Sequence, residues 1–475
     1  MTGKTPLSEL TTTRFTNTVI LSAILLYGLL AYLSYAFNLT FLPLIGIVAI
    51  LGVGYVYSSL KDPYYILLLV ALGSYLGNLV HLVEGAVPLT IFQVLLVACF
   101  LFVALNKLMR ADFEVKLLGI ELELLLFTAL IFLSLIYSPN EVNGMFNALR
   151  FTVLLITVYL VVNIITNINQ VAGILIILAI VSVVLGSLSI KETLLNPEAA
   201  VMDYLTDGGV KDRASGTQID PNIFASHFLL PLAFVSSIFL TYKSYIIRGL
   251  SFLASILFIM GLMSTFSRSA WVAAAISLII VAYYHRQLKI FVWLGLFAFF
   301  AVLFIPQLQF VALNIMERVI DIFAGSDDDS SMIRIMLGLA AMGMFFDSYF
   351  MGIGFRGFPE AFPNYYSTQV SIGVSEPHNI TYTVLAELGI IGFILFVFIY
   401  WKIGSIAYHN IKNSISDLER SISITLFATY IAFIIFYQFY GGGLFDNNFW
   451  ILVGLIFALN YNILKPAEQI KSELT

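Results

Sequence analysis

Apolar runs of about 20 residues recur along the whole chain, separated by short polar clusters. A helix needs roughly 20 such residues to cross the hydrocarbon layer, so each run reads as a membrane span. The spans fall near 16–36, 41–59, 64–80, 88–106, 118–137, 147–167, 171–190, 223–241, 247–264, 269–285, 288–305, 379–401, 421–440 and 445–463. The pattern predicts an all-α, polytopic membrane helix bundle of about 12–14 transmembrane helices. Two polar segments, 191–222 and 306–378, are too long to be mere connectors. The second holds an apolar piece, IRIMLGLAAMGMFF, with helical amphipathic spacing from about 331 to 346. It predicts a large, partly helical loop lying as an ordered cap at the interface. The chain thus divides into N-terminal helices (1–190), a transmembrane core with an Arg-bearing outer loop (191–305), the large loop (306–378) and C-terminal helices (379–475).

Composition removes the soluble alternative. Apolar residues make up 60% of the 475 and charged residues 11%, against about 25% charged in soluble domains. The mean hydropathy is +0.96. Membrane lipids are the expected surroundings, and no nucleic-acid partner is expected. Cys99 is the only cysteine, which excludes an internal disulfide and argues against a cysteine-held metal. The first apolar run is long enough to span and is expected to stay as a helix rather than be cleaved as a signal.

Charge gives the run of helices a direction. With the N-terminus inside, the inner segments hold fifteen of the basic residues, from Lys4 and Arg14 to Lys465 and Lys471. The outer side holds Arg150, Lys191, Lys211, Arg213, Arg268, Arg318, Arg334 and Arg356. This bias predicts both termini in the cytoplasm. Six of the eight outer residues are Arg, whose forked guanidinium suits phosphate and carboxylate oxygens. Snorkelling to lipid headgroups is the plainer reading of any single one.

Polar residues gather at the outer helix ends of the second half. Asp220 and Asn222 flank Pro221 at a helix start, a capping arrangement. Arg268 sits in Ser-Arg-Ser at the junction of two apolar runs, and Arg334 opens the amphipathic piece. Gly352-Ile-Gly354 precedes Arg356 but is too short for a nucleotide fingerprint. Glu376-Pro377-His378-Asn379 leads into a helix containing Glu387, Gly389 and Gly392. A histidine before a helix N-terminus tends to stay neutral, as a general base must; a capping histidine is the structural alternative. Asp327-Asp328-Asp329 reads as a solvated loop tip, and no metal or other cofactor is expected. His81, beside Glu84, and His227 lie near the outer side; His285 and His409 lie on the inner.

Four blocks in order, Arg213–Ala225, Ser264–Trp271, Arg334 with Gly352-Ile-Gly354, and PHNITYTVLAELGIIG from Pro377, resemble the superfamily of O-antigen ligases and polymerases. The blocks cover roughly residues 210–400; residues 1–190 match only as generic membrane helices. The resemblance implies metal-independent, inverting transfer of a glycan from undecaprenyl diphosphate at the outer face of the bacterial inner membrane. The acceptor is a lipid A core sugar in a ligase, or another lipid-linked glycan in a polymerase. It carries catalytic roles over to His378, Arg268 and Arg334. Arg213, Arg356, Asn379 and Glu376 are the candidates for substrate contacts. The rival from another class is a lipid-linked oligosaccharide transporter, which would place ionisable residues near the bilayer midplane.

Overall fold

The computed structural model describes residues 55, 58–59, 61–76, 81–83, 89–111, 114–194, 214, 216, 218, 220–290, 329–366 and 376–464. The expected span 16–36, most of 41–59 and of 288–305, parts of both long loops, Arg213 and both termini lie outside these residues.

The chain clusters into two units, Met1–Ile66 with Ala98–Phe113, and Leu67–Val97 with Glu114–Thr475. In the first, the Asn106 amide donates to the Lys61 carbonyl at 3.5 Å. The second carries every described candidate site residue.

The helices are α1 (Tyr64–Leu76), α2 (Ile91–Arg110), α3 (Glu121–Ser134), α4 (Glu141–Ile164), α5 (Ile168–Leu194), α6 (Pro221–Ser226), α7 (Leu229–Thr241), α8 (Tyr245–Ser264) and α9 (Arg268–Tyr284). After them come α10 (Asp329–Asp347), α11 (Phe358–Ala361), α12 (Ile380–Asn413), α13 (Asp417–Phe436) and α14 (Asn447–Ala458). One short antiparallel ladder, His81–Val83 with Leu89–Thr90, joins α1 to α2. Among the described residues eight helical segments are long and apolar enough to cross a membrane, and α1 and α9 are shorter apolar helices. The fold is the expected all-α polytopic bundle.

Which faces meet lipid follows from the side chains. Helix α8 leaves Ile246, Leu250 and Leu253 exposed while burying Phe258 and Leu262. A large apolar side chain left exposed in this way is stable only in hydrocarbon. Helix α14 is buried all round, from Asn448 to Ala458, and is apolar on every face. Its Phe449 stacks on Tyr400 of α12 at 5.3 Å between ring centroids. Small residues Ala270, Ala273, Ala274 and Ser277 form the buried face of α9, which allows close backbone approach where water supplies no driving force.

Two boundaries differ from the hydrophobic pattern. The expected span 223–241 is two helices, broken at His227–Phe228, because Pro231 of α7 has no N–H to offer the His227 carbonyl. That carbonyl instead accepts from Ser182 Oγ at 3.4 Å. The span expected at 379–401 continues helically to Asn413. Hydropathy stops where the apolar residues stop, but backbone hydrogen bonding carries the helix past the hydrocarbon.

Candidate functional site

A seam between the long loop and α12 builds the site. Gly389 has φ 66° and ψ −164° inside α12, a region open essentially to glycine alone. The break frees α12 carbonyls, and the loop takes them: Ile353 N–H donates to Ala386 O at 2.9 Å and Gly354 N–H to Glu387 O at 3.0 Å. In return Ile390 N–H donates to Phe350 O at 2.9 Å. The backbones approach so closely that a Cβ on Gly352 would lie 2.6 Å from Glu387 O, and one on Gly389 2.3 Å from Phe350 O. The Gly-Ile-Gly block is therefore a backbone splice. It also fixes Arg356, which leaves the splice in a left-handed turn at φ 59°.

The amphipathic piece is α10, as its spacing predicts. Leu337, Ala340, Ala341 and Met344 recur at helical spacing and pack with Phe358, Phe362 and Ala386. This contact holds Arg334, on the first turns of α10, near the N-terminal end of α12.

That end of α12 is stitched to the segment after α13. Ile380 N–H donates to Tyr437 O at 2.9 Å. Asn379 Nδ2 donates to Gln438 O at 2.7 Å, and Asn379 Oδ1 caps α12 by accepting from Tyr382 N–H at 3.0 Å. Two hollows flank the stitch. A cleft of about 290 Å³ is bordered by Arg334, Leu339, His378, Asn379, Tyr382 and Gln438. A cavity of about 330 Å³ is bordered by Arg150, Arg356, Glu376, Tyr440, Phe445 and Asp446, with several amide side chains and His227.

Residues 376–378 divide these two spaces. The His378 backbone is left-handed at φ 53°, an uncommon conformation for a non-glycine residue. Its imidazole makes no hydrogen bond to a described residue. Burial first, and then Arg334, lower its pKa from the ordinary histidine value, with Asp220 opposing. A neutral ring with an available lone pair results. Glu376 Oε2 lies 3.7 Å from Arg356 Nη1. Burial pushes the Glu376 carboxyl up to about 7; Arg356 pulls it down, and Glu387 and Asp220 push it further up. Tyr440 is held protonated above the ordinary phenol range, by burial and then by Glu376, Asp220 and Asp446.

This part of the chain has a counterpart among known sequences: residues 253–397 match the family model described as O-antigen ligase. Over this segment the chain is similar to the O-antigen ligases. No curated protein matches the chain.

The segment matched by the O-antigen ligase family model contains α9, α10, the splice and the N-terminal half of α12, and so Arg268, Arg334, Arg356, Glu376, His378 and Asn379. Of these, Arg334, His378 and Asn379 share the cleft, and Arg356 and Glu376 share the cavity. Arg268 opens α9 and borders neither. The residue before it, Ser267, donates to Asn222 Oδ1 at 2.8 Å, linking this end of α9 to the start of α6. Asp220 caps α6 as its spacing predicts, accepting from Asn222 N–H at 2.6 Å. It is also close enough to His378 and Glu376 to bias both electrostatically.

Sequence did not name Asp446, and it gave Arg150 and His227 a side of the membrane but no place in the site. Asp446 caps α14 through Asn448 N–H at 2.8 Å and accepts from Tyr437 Oη at 2.9 Å. Arg150 donates to Phe445 O at 3.4 Å. His227 donates from Nδ1 to Ile223 O at 2.7 Å, and its Nε2 lies 3.2 Å from the Gln218 amide nitrogen. No short motif surrounds any of them, and they meet only across helices.

Proposed function

We propose that this protein transfers a glycan from undecaprenyl diphosphate to an acceptor sugar hydroxyl, as an O-antigen ligase, at the outer face of the bacterial inner membrane. The observation that carries the reading is the convergence of Arg334 and His378 on one cleft at the N-terminal end of α12, inside the segment matched by the O-antigen ligase family model. The positive-inside bias supports the orientation, with both termini cytoplasmic.

In this reading His378 takes the proton from the acceptor hydroxyl as its oxygen attacks the anomeric carbon. The bond to the diphosphate breaks from the opposite face, so the configuration inverts. Charge builds on the leaving diphosphate, and Arg334 with Arg268 stabilises it in place of a divalent metal. Preorganised charge of this kind is worth several kcal/mol at the transition state. Arg213, Arg356, Glu376 and Asn379 serve the sugar or phosphate groups. The acceptor is the lipid A core; the second reading, a polymerase extending a lipid-linked glycan, uses the same residues with another acceptor. Arg334 and His378 at a helix end, in place of ionisable residues at the bilayer midplane, weigh against transport.

The test is glycan transfer by the purified protein in lipid, from an undecaprenyl diphosphate glycan, with and without a lipid A core acceptor. Transfer only to the core supports the ligase, and lengthened lipid-linked chains without it support the polymerase. His378→Ala is expected to lower either rate by about 10²–10⁴-fold. Full activity in that variant overturns the general-base assignment.

A further inference from the structure

The cavity beside the cleft is more than a continuation of it. Its chemistry is mixed: the guanidinium groups of Arg150 and Arg356 lie with the carboxylates of Glu376 and Asp446 around a space rich in amides. Both guanidinium carbons sit near the Phe445 ring, at 5.5 Å for Arg150 and 5.2 Å for Arg356. Among the described residues Arg150 has no carboxylate partner, whereas Asp446 is committed to capping α14 and to Tyr437.

Two groups lining the cavity have unused hydrogen-bonding capacity. Arg356 Nε is buried with no partner, and so is Oδ1 of Asn448, a residue only 4% exposed. Buried donors and acceptors are nearly always satisfied in a finished structure. One missing acceptor and one missing donor, on two residues that line the same cavity, call for a ligand that brings both. Amides, which donate and accept, and carboxylates, which accept, suit vicinal hydroxyls, and Tyr440 brings a ring to the wall of the cavity. A volume of about 330 Å³ is at the lower end of small-molecule sites, the scale of a saccharide unit.

We propose that this cavity is a saccharide subsite selective for an acidic sugar, with Arg150 as the residue that reads the sugar's carboxylate. The proposal rests on the glycan-transfer reading and names the substrate class that reading leaves open. A single carboxylate matches one guanidinium that has no carboxylate partner among the described residues. A diphosphate, with its greater charge, would meet repulsion from Glu376 and Asp446. The subsite adjoins His378 through residues 376–378, so a bound sugar would be held next to the reacting centre.

Binding tests this without requiring transfer. The full-length protein in nanodiscs is titrated with a glucuronic acid–glucose disaccharide, its neutral glucose–glucose counterpart, and inorganic diphosphate. The acidic disaccharide is expected to bind at least about tenfold more tightly than the neutral one, as one charge-assisted hydrogen bond would give. Arg150→Gln is expected to erase that preference while neutral binding and the melting temperature stay as in wild type, and Arg150→Lys to restore part of it. Equal binding of the two disaccharides, binding of neither, or a preference unchanged in Arg150→Gln overturns the proposal. Displacement of the acidic disaccharide by diphosphate also overturns it and makes the cavity the lipid-carrier site. If acidic binding depends on Arg150 but no donor is ever turned over, the subsite stands and the transfer reading falls.

Discussion

Replacing Gly389 with Ala attacks the seam that positions the site. The residue would keep a backbone region forbidden to a side chain, at a cost of about 1–3 kcal/mol. Its Cβ would also stand 2.3 Å from the Phe350 carbonyl oxygen, so the loop must withdraw. Withdrawal weakens the three hydrogen bonds between loop and α12, each worth about 1 kcal/mol net. Together these predict a loss of roughly 3–6 kcal/mol, read as a fall in melting temperature of about 5 °C or more in detergent. Arg356 and Arg334 both reach the site from elements resting on this seam, so transfer activity should fall further than stability alone explains. Gly352→Ala meets the same seam from the loop side and should not add fully to Gly389→Ala, because the contact can be lost only once. Gly249→Ala is the control: it sits within α8 with nothing within 4 Å of its added Cβ, and no loss is expected. If Gly389→Ala melts with the wild type and keeps its activity, the splice does not hold the site and the argument fails.

Glu376 predicts a pH dependence. Its carboxyl is raised from 4.5 to about 7, so between those values the folded state binds the proton more tightly than the unfolded one. Stability should therefore fall as pH rises from 5 to 8, by roughly 3 kcal/mol from this group, and Glu376→Gln should flatten the melting curve over that range; an unchanged slope would refute it. Asp220→Ala should cost about 1 kcal/mol as a lost cap, and it should shift the acid limb of the rate profile to lower pH, because Asp220 raises the pKa of His378. A limb that stays in place would detach Asp220 from the histidine. Arg334→Lys keeps a charge but loses the fork; a clear drop in turnover is expected, and full activity would argue against two-pronged phosphate binding.

Much of the protein was legible in the sequence because lipid imposes a simple rule. Apolar length marks the spans, and the 331–346 pattern marks α10, whose buried positions recur at helical spacing. The Asp220-Pro221-Asn222 cap is equally local, since all its atoms lie within three residues. The Arg and His of the cleft were visible as polar residues that an apolar helix end would not otherwise keep. What remained hidden depends on contact between distant segments. The break at Gly389 is specified by a loop about 37 residues earlier, whose glycines matter only because two backbones touch there. The split of 221–241 turns on a proline whose effect shows one turn upstream, in a carbonyl taken up by Ser182 of another helix. Arg150 looks like any headgroup-facing arginine until Phe445, nearly 300 residues later, folds beside it. Sequence determined which residues can cross the membrane and which are the candidates for chemistry; tertiary structure decided which of those share a space, because charge and hydrogen bonding act over a few ångströms and the chain brings those ångströms together only by folding.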